Sequence, residues 1–139
     1  MAANFTYYLT NHIIDHILGK TAYTSPTVYV ALSSTTPTVS GTNFTEPTIG
    51  TGGYARVATS GATWNAAASG DTANAASISF PNSTAAWTSG AANLTYVGLY
   101  DASTAGNFLG FGAISNPAPV NGSGVTVSLP ISDLTVSLT

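Results

Sequence analysis

The stretch Asn93–Asn116 constrains this chain more than any other. Two runs rich in apolar and aromatic residues flank a short polar link, Asp101–Gly106. Asp can close a turn on its own backbone, and Gly accepts positive φ without a Cβ clash. The pattern predicts a β-hairpin at the centre of the molecule. In Leu94–Tyr100 both parities are apolar, with Leu94, Tyr96 and Tyr100 on one side and Val97 and Leu99 on the other. A strand covered on both faces reads this way, whereas a half-exposed one alternates. With Tyr100 set opposite Asn107, Tyr96 faces Phe111 and Leu99 faces Phe108, pairs worth roughly 0.2–1 kcal/mol each beyond burial. Gly98, Gly110 and Gly112 leave shallow places where a ring or a backbone can approach closely.

Charge decides most of the functional exclusions. The 139 residues hold two basic side chains, Lys20 and Arg56, and five acidic ones, Asp15, Glu46, Asp71, Asp101 and Asp133. Charged residues are 5% of the chain, against a typical value of about 25%. Two cations and a net charge of −3 cannot neutralise a run of phosphates, which excludes nucleic acid as a partner. A basic membrane-surface helix fails for the same reason, and no apolar run reaches the ~20 residues of a membrane span. The N-terminus shows no charged region followed by an apolar one, so no secretory signal is expected. Without cysteine there is neither disulfide nor thiolate chemistry. So little like charge also leaves copies of the chain free to associate.

Along the chain, Asn4–Leu18 carries the helical pattern. Phe5, Leu9, Ile13 and Ile17 recur every four residues, Ile14 and Leu18 widen the stripe, Asn4 is placed to cap, and Gly19 stands at the C′ position. Period two begins at Thr27–Leu32. A stretch of Ser, Thr, Pro and Gly follows over 33–53, long enough to be functional or mobile, with Phe44 and Ile49 to pack it down. Strands are expected at Tyr54–Ser60 and Ser77–Pro81, with loops over 61–76 and 82–92 carrying Trp64 and Trp87. In the tail, Val125, Val127, Leu129 and Ile131 share one parity while Leu134, Val136 and Leu138 share the other, so a turn or bulge falls at Ser132–Asp133. The sum is a mainly β single domain over residues 1–139. It is an antiparallel, jelly-roll-like β-sandwich of seven or eight strands over 26–139, with one N-terminal α-helix in 1–20 as a docking element.

Few residues suit chemistry. His12, Asp15 and His16 form the nearest thing to a ligand cluster, yet a zinc site wants three or four ligands with supporting partners, and no further histidine or cysteine exists. No Gly-x-Ser-x-Gly elbow or paired carboxylates appear, so no catalytic residue, metal or cofactor is expected. Glu46 and Arg56, the only glutamate and the only arginine, are expected to form a bidentate ion pair that pins the long loop. Trp64 and Trp87 lie in loops and are the candidates for stacking on a glycan, with core or interface anchoring as the plainer role.

Several stretches together resemble a group of short virion proteins of tailed bacteriophages, the head decoration (cement) and tail-fibre-like proteins. They are Asn11–Gly19, Val28–Ser33, Glu46-Pro47 with Gly53–Val57, Ile78–Pro81 and Val97–Asp101. The resemblance implies a small β-domain built into the virion, assembled in the host cytoplasm as a homo-oligomer, a trimer being one state that fits shell symmetry. The expected function is non-enzymatic capsid decoration, bridging subunits of the major capsid protein. The alternatives are a tail or tail-fibre component that contacts a tail protein or a glycan, and a self-assembling filament or sheath. Phe5, Leu9, Ile13, Ile17, Phe44 and Ile49 are the expected protein-interface residues. Removal of residues 1–19 is expected to free the protein from particles and leave the β-domain folded.

Overall fold

The structure, a computed structural model, describes residues 2–89 and 92–138. Among these lie nine strands: β1 (Ala2–Phe5), β2 (Tyr29–Ser33), β3 (Val57–Ala58), β4 (Asp71–Ala73), β5 (Ile78–Ser79), β6 (Leu94–Tyr100), β7 (Phe108–Ala118), β8 (Ser128–Leu129) and β9 (Thr135–Ser137), with one α-helix, α1 (Tyr7–Ile17), and a 3-10 turn at Gly61–Thr63. Over the described residues the fold is mainly β with a single N-terminal α-helix. Seven strands form one sheet in the order β3-β2-β6-β7-β1-β9-β4. The run from β3 to β1 is antiparallel throughout, and β1 pairs parallel with β9. The other layer is slighter than a full sandwich. It consists of the two-stranded ladder β5-β8, which adds Ile78 and Leu129 to the core, and of packed loops that bring in Tyr54, Phe80, Trp87 and Val120.

β6 and β7 are the central hairpin, and their register differs from the expected one. The link closes with Asp101 N–H donating to the Asn107 carbonyl, so Tyr100 pairs with Phe108 instead of Asn107. Leu109 then bulges, Leu99 meets Gly110, and Gly98 meets Phe111. Tyr96 pairs with Ala113. The bulge puts Leu109 into the core beside Leu99 and gathers Tyr100, Phe108 and Phe111 on the opposite face, with ring centroids 4.9 and 5.9 Å apart along the series. Phe44, from the long loop, lies across this face at 5.0 Å from Phe108 and 5.5 Å from Tyr100. Both faces of the hairpin are thus covered.

The N-terminal segment is not a detachable helix. Asn4 lies in β1, paired with Phe111, and does not cap. β1 fills the gap between β7 and β9, joining the start of the chain to its end. Thr6 is the residue before the helix, but its hydroxyl is buried and donates to the Phe108 carbonyl at 2.5 Å. At the far end Gly19 adopts φ +71°, its N–H donates to His16 O and the Lys20 N–H to Asp15 O, the paired closure that stops a helix at glycine. Removing residues 1–19 would take a strand from inside the sheet, so the expectation that the β-domain survives this deletion is withdrawn.

Small polar side chains hold the loops where charge is absent. Asn74 is fully buried, and its amide donates to Ala76 O and Pro130 O while its Oδ1 accepts from Leu134 N–H. This fixes the turn after β8, where Ser132 takes φ +64° and the side-chain parity flips. Ser83 does the same for the 119–127 segment, donating to Gly122 O and accepting from Val125 N–H. Each such bond contributes about 1 kcal/mol, and removing a buried partner costs more.

Candidate functional site

A polar constellation built on an ion pair surrounds Arg56. Its Nε donates to Glu46 Oε1 at 2.8 Å and its Nη2 to Glu46 Oε2 at 2.7 Å, a two-pronged ion pair. Nη1 donates to the carbonyls of Ala102 and Ala105 in the hairpin link, at 2.9 and 2.8 Å. The guanidinium also lies over the Tyr100 ring, 3.6 Å from its centroid. One side chain therefore joins the long loop, the strand region before β3 and the tip of the β6-β7 hairpin. Only 4% of the Arg56 side chain and 15% of that of Glu46 are exposed.

Tyr54 completes the cluster. Its hydroxyl donates to Glu46 Oε1 at 2.8 Å and accepts from Leu32 N–H at 3.0 Å, while its ring sits in the core edge-on to Trp87. β3 covers only Tyr29 and Val30 of β2, so the Leu32 N–H would otherwise be an open sheet edge. Burial and then the Glu46 charge push the Tyr54 hydroxyl well above the usual tyrosine range. Burial likewise raises Tyr100 to about 12, against the pull of the neighbouring Arg56. Such groups hold a neutral phenol and a fixed salt bridge, an arrangement that fastens the fold.

The helix histidines are occupied separately. His12 Nδ1 donates to the Tyr8 carbonyl at 2.8 Å, and its ring packs between Tyr8 and Tyr23. His16 Nδ1 accepts from the Tyr23 N–H at 3.1 Å. Among the described residues no three histidine, cysteine or acidic side chains converge into a metal-binding group.

The six apolar residues expected at an interface divide unequally. Leu9 is 9% exposed and belongs to the core, against which Phe5, Ile13 and Ile49 also pack. Phe44 is held over the hairpin. Ile17, by contrast, is 71% exposed. With Tyr7, Ile14 and Leu18, all exposed, it forms a second apolar stripe on the outward side of α1. The apolar residues of this helix encircle much of it, so periodicity alone did not separate the buried face from the open one.

The two tryptophans also part ways. Trp87 is buried, and its Nε1 donates to Gly52 O at 2.7 Å. Trp64 is half-buried, its Nε1 donates to Thr59 Oγ1 at 3.2 Å, and it lines a cleft of about 300 Å³ with Ser25, Pro26, Thr27 and Ser60. A second cleft of about 350 Å³ lies at the start of α1, lined by Thr6, Tyr8, Ser40, Tyr100, Asn107 and Phe108.

No curated protein matches the chain. One family model does, described as podophage GP4 fiber I protein gp80, and the match runs over residues 4–137, from β1 through β9. It takes in the hairpin, the Glu46–Arg56 cluster and both tryptophans. A fibre family accords with the tail-fibre alternative better than with capsid decoration, for which the match offers no support. The chain belongs to the family of the podophage GP4 fiber I protein gp80, and so to the structural proteins of phage virions.

Proposed function

We propose that this protein is a non-enzymatic component of a phage tail fibre, which works by contact with other proteins of the tail and with copies of itself. The observation that carries this reading is the fibre-family match across 134 of the 139 residues (4–137). The physical character of the chain agrees with it. Glu46, Tyr54 and Arg56, bonded to one another, fasten three segments of the fold together. The surface available for subunit contact is the outward stripe of α1, Tyr7, Ile14, Ile17 and Leu18, on a chain in which only 5% of residues are charged. Burial of that stripe in the assembled tail stabilises the assembly by mass action, with no chemical step.

Gold-labelled antibody against the purified protein, applied to intact particles, tests the assignment. Label on the tail supports it, and label distributed over the shell restores capsid decoration in its place.

A further inference from the structure

We propose that the cleft beside Trp64 is a binding site for a neutral saccharide. Its lining combines one indole, the Pro26 ring and the hydroxyls of Ser25, Thr27 and Ser60, with no ionised side chain among them. An indole and a proline ring suit the C–H face of a pyranose, and hydroxyls that both donate and accept match the ligand's own. The absence of charge in the lining selects against uronic and sialic acids. At about 300 Å³ the space is at the small end for ligand clefts, enough for about one or two sugar rings.

Two features set this cleft apart from the others. The Trp64 ring is held in one orientation by its bond to Thr59 Oγ1, which itself donates to Val28 O, and among the described residues no other aromatic ring packs on it. In the cleft at the start of α1 the aromatic faces are already used. Tyr100 lies between Arg56 and Phe108, and Tyr8 is against His12. A third cleft, lined by Leu94, Ile114, Val120 and Val127, is mainly apolar and lacks an aromatic platform. Trp87, the other tryptophan, is buried with its N–H engaged.

The inference rests on the fibre reading for its place in the virion, but its test needs only the isolated full chain. A failure here therefore leaves the tail location standing, and shell label would not erase sugar binding. The chain, labelled with nitrogen-15, is titrated with glucose, galactose, rhamnose, N-acetylglucosamine and their disaccharides, and with glucuronic acid for comparison. The expected result is a saturating shift of the Trp64 indole N–H in the millimolar range for at least one neutral sugar, with the Trp87 indole unmoved. Thr27→Val should weaken that binding roughly five-fold, and Trp64→Ala should abolish the matching shifts of the Thr27 and Ser60 amides. An unchanged Trp87 indole signal certifies the fold of each variant, and Trp64→Phe, with a smaller ring, serves if the alanine form does not fold. No response to any neutral sugar at ~100 mM, or binding undiminished without the indole, overturns the proposal.

Discussion

The ring of Phe44 lies directly over Gly98: a Cβ added to that glycine would stand 2.5 Å from Phe44 Cε2. The long loop therefore closes one face of the central hairpin through a contact that requires a residue without a side chain in the middle of β6. Gly98→Ala should destabilise the protein by about 1–3 kcal/mol, measured by urea unfolding. Truncating the ring in the same chain, Phe44→Ala with Gly98→Ala, should cost less than the sum of the two single changes. Additive effects would mean that the two residues do not press on one another.

Arg56 makes the stronger prediction about fastening. Lysine can supply one charge but not the two-pronged approach to Glu46 together with two carbonyl bonds. Arg56→Lys should cost about 1–3 kcal/mol, and Arg56→Ala about 3–5 kcal/mol, because it leaves the Glu46 carboxylate without its partner. Hydrogen exchange should rise at the 101–106 link and in the long loop before it rises in β6.

The buried phenols set the alkaline limit. Tyr54 is raised well above the tyrosine range, by burial and then by Glu46, and burial raises Tyr100 to about 12. Above pH 10 an unfolded tyrosine loses its proton while these two keep theirs, so the folded state binds more protons and stability falls as pH rises. Their contribution is complete below about pH 10. Above it the loss approaches about 1.4 kcal/mol per pH unit for the fully buried Tyr54. Tyr54→Phe should flatten that decline, and an unfolding series from pH 8 to 11.5 reads it directly.

Asn74 is a polar residue that the core cannot spare. Asn74→Ala removes three hydrogen bonds and leaves Leu134 N–H and Pro130 O without their partner, at a cost of about 3 kcal/mol. Trp87→Ala should cost about 3–5 kcal/mol and Trp64→Ala less, about 1–3 kcal/mol, since the second ring is only half-buried against the core. Thermal unfolding of the three variants ranks them.

The outward stripe of α1 has the opposite signature. Replacing Ile14, Ile17 and Leu18 together by Ser should change unfolding stability by less than about 1 kcal/mol, since all three are exposed. It should lower self-association in sedimentation and incorporation into particles. Undiminished incorporation would remove the stripe from the contact surface.

What the sequence made legible follows from what is local. The hairpin showed in Leu94–Tyr100 because both parities are apolar, and the helix stop at Gly19 because one residue carries the conformation. The register did not, since the bulge at Leu109 depends on a distant strand: a Cβ on Gly110 would stand 2.8 Å from the Asn4 carbonyl of β1. β1 was hidden because Phe5 continues the four-residue spacing of the helix although it belongs to the sheet. β4, with the sequence Asp-Thr-Ala, lacks the large β-branched side chains that mark a strand and exists through its pairing with β9. At the candidate site, Glu46 and Arg56 stood out as single occurrences of their kind, and the structure brings their side chains together. The roles of Tyr54, Ala102 and Ala105 in the same cluster depend on contacts across the fold that no local pattern carries.

The most direct test of the tail-fibre assignment is a cryo-electron microscopy reconstruction of the intact particle at a resolution that traces side chains. The expected result is density for the Tyr100–Phe108–Phe111 stack and the bulged hairpin within the fibres attached to the tail. The same density repeated across the capsid shell, and absent from the tail, would contradict it.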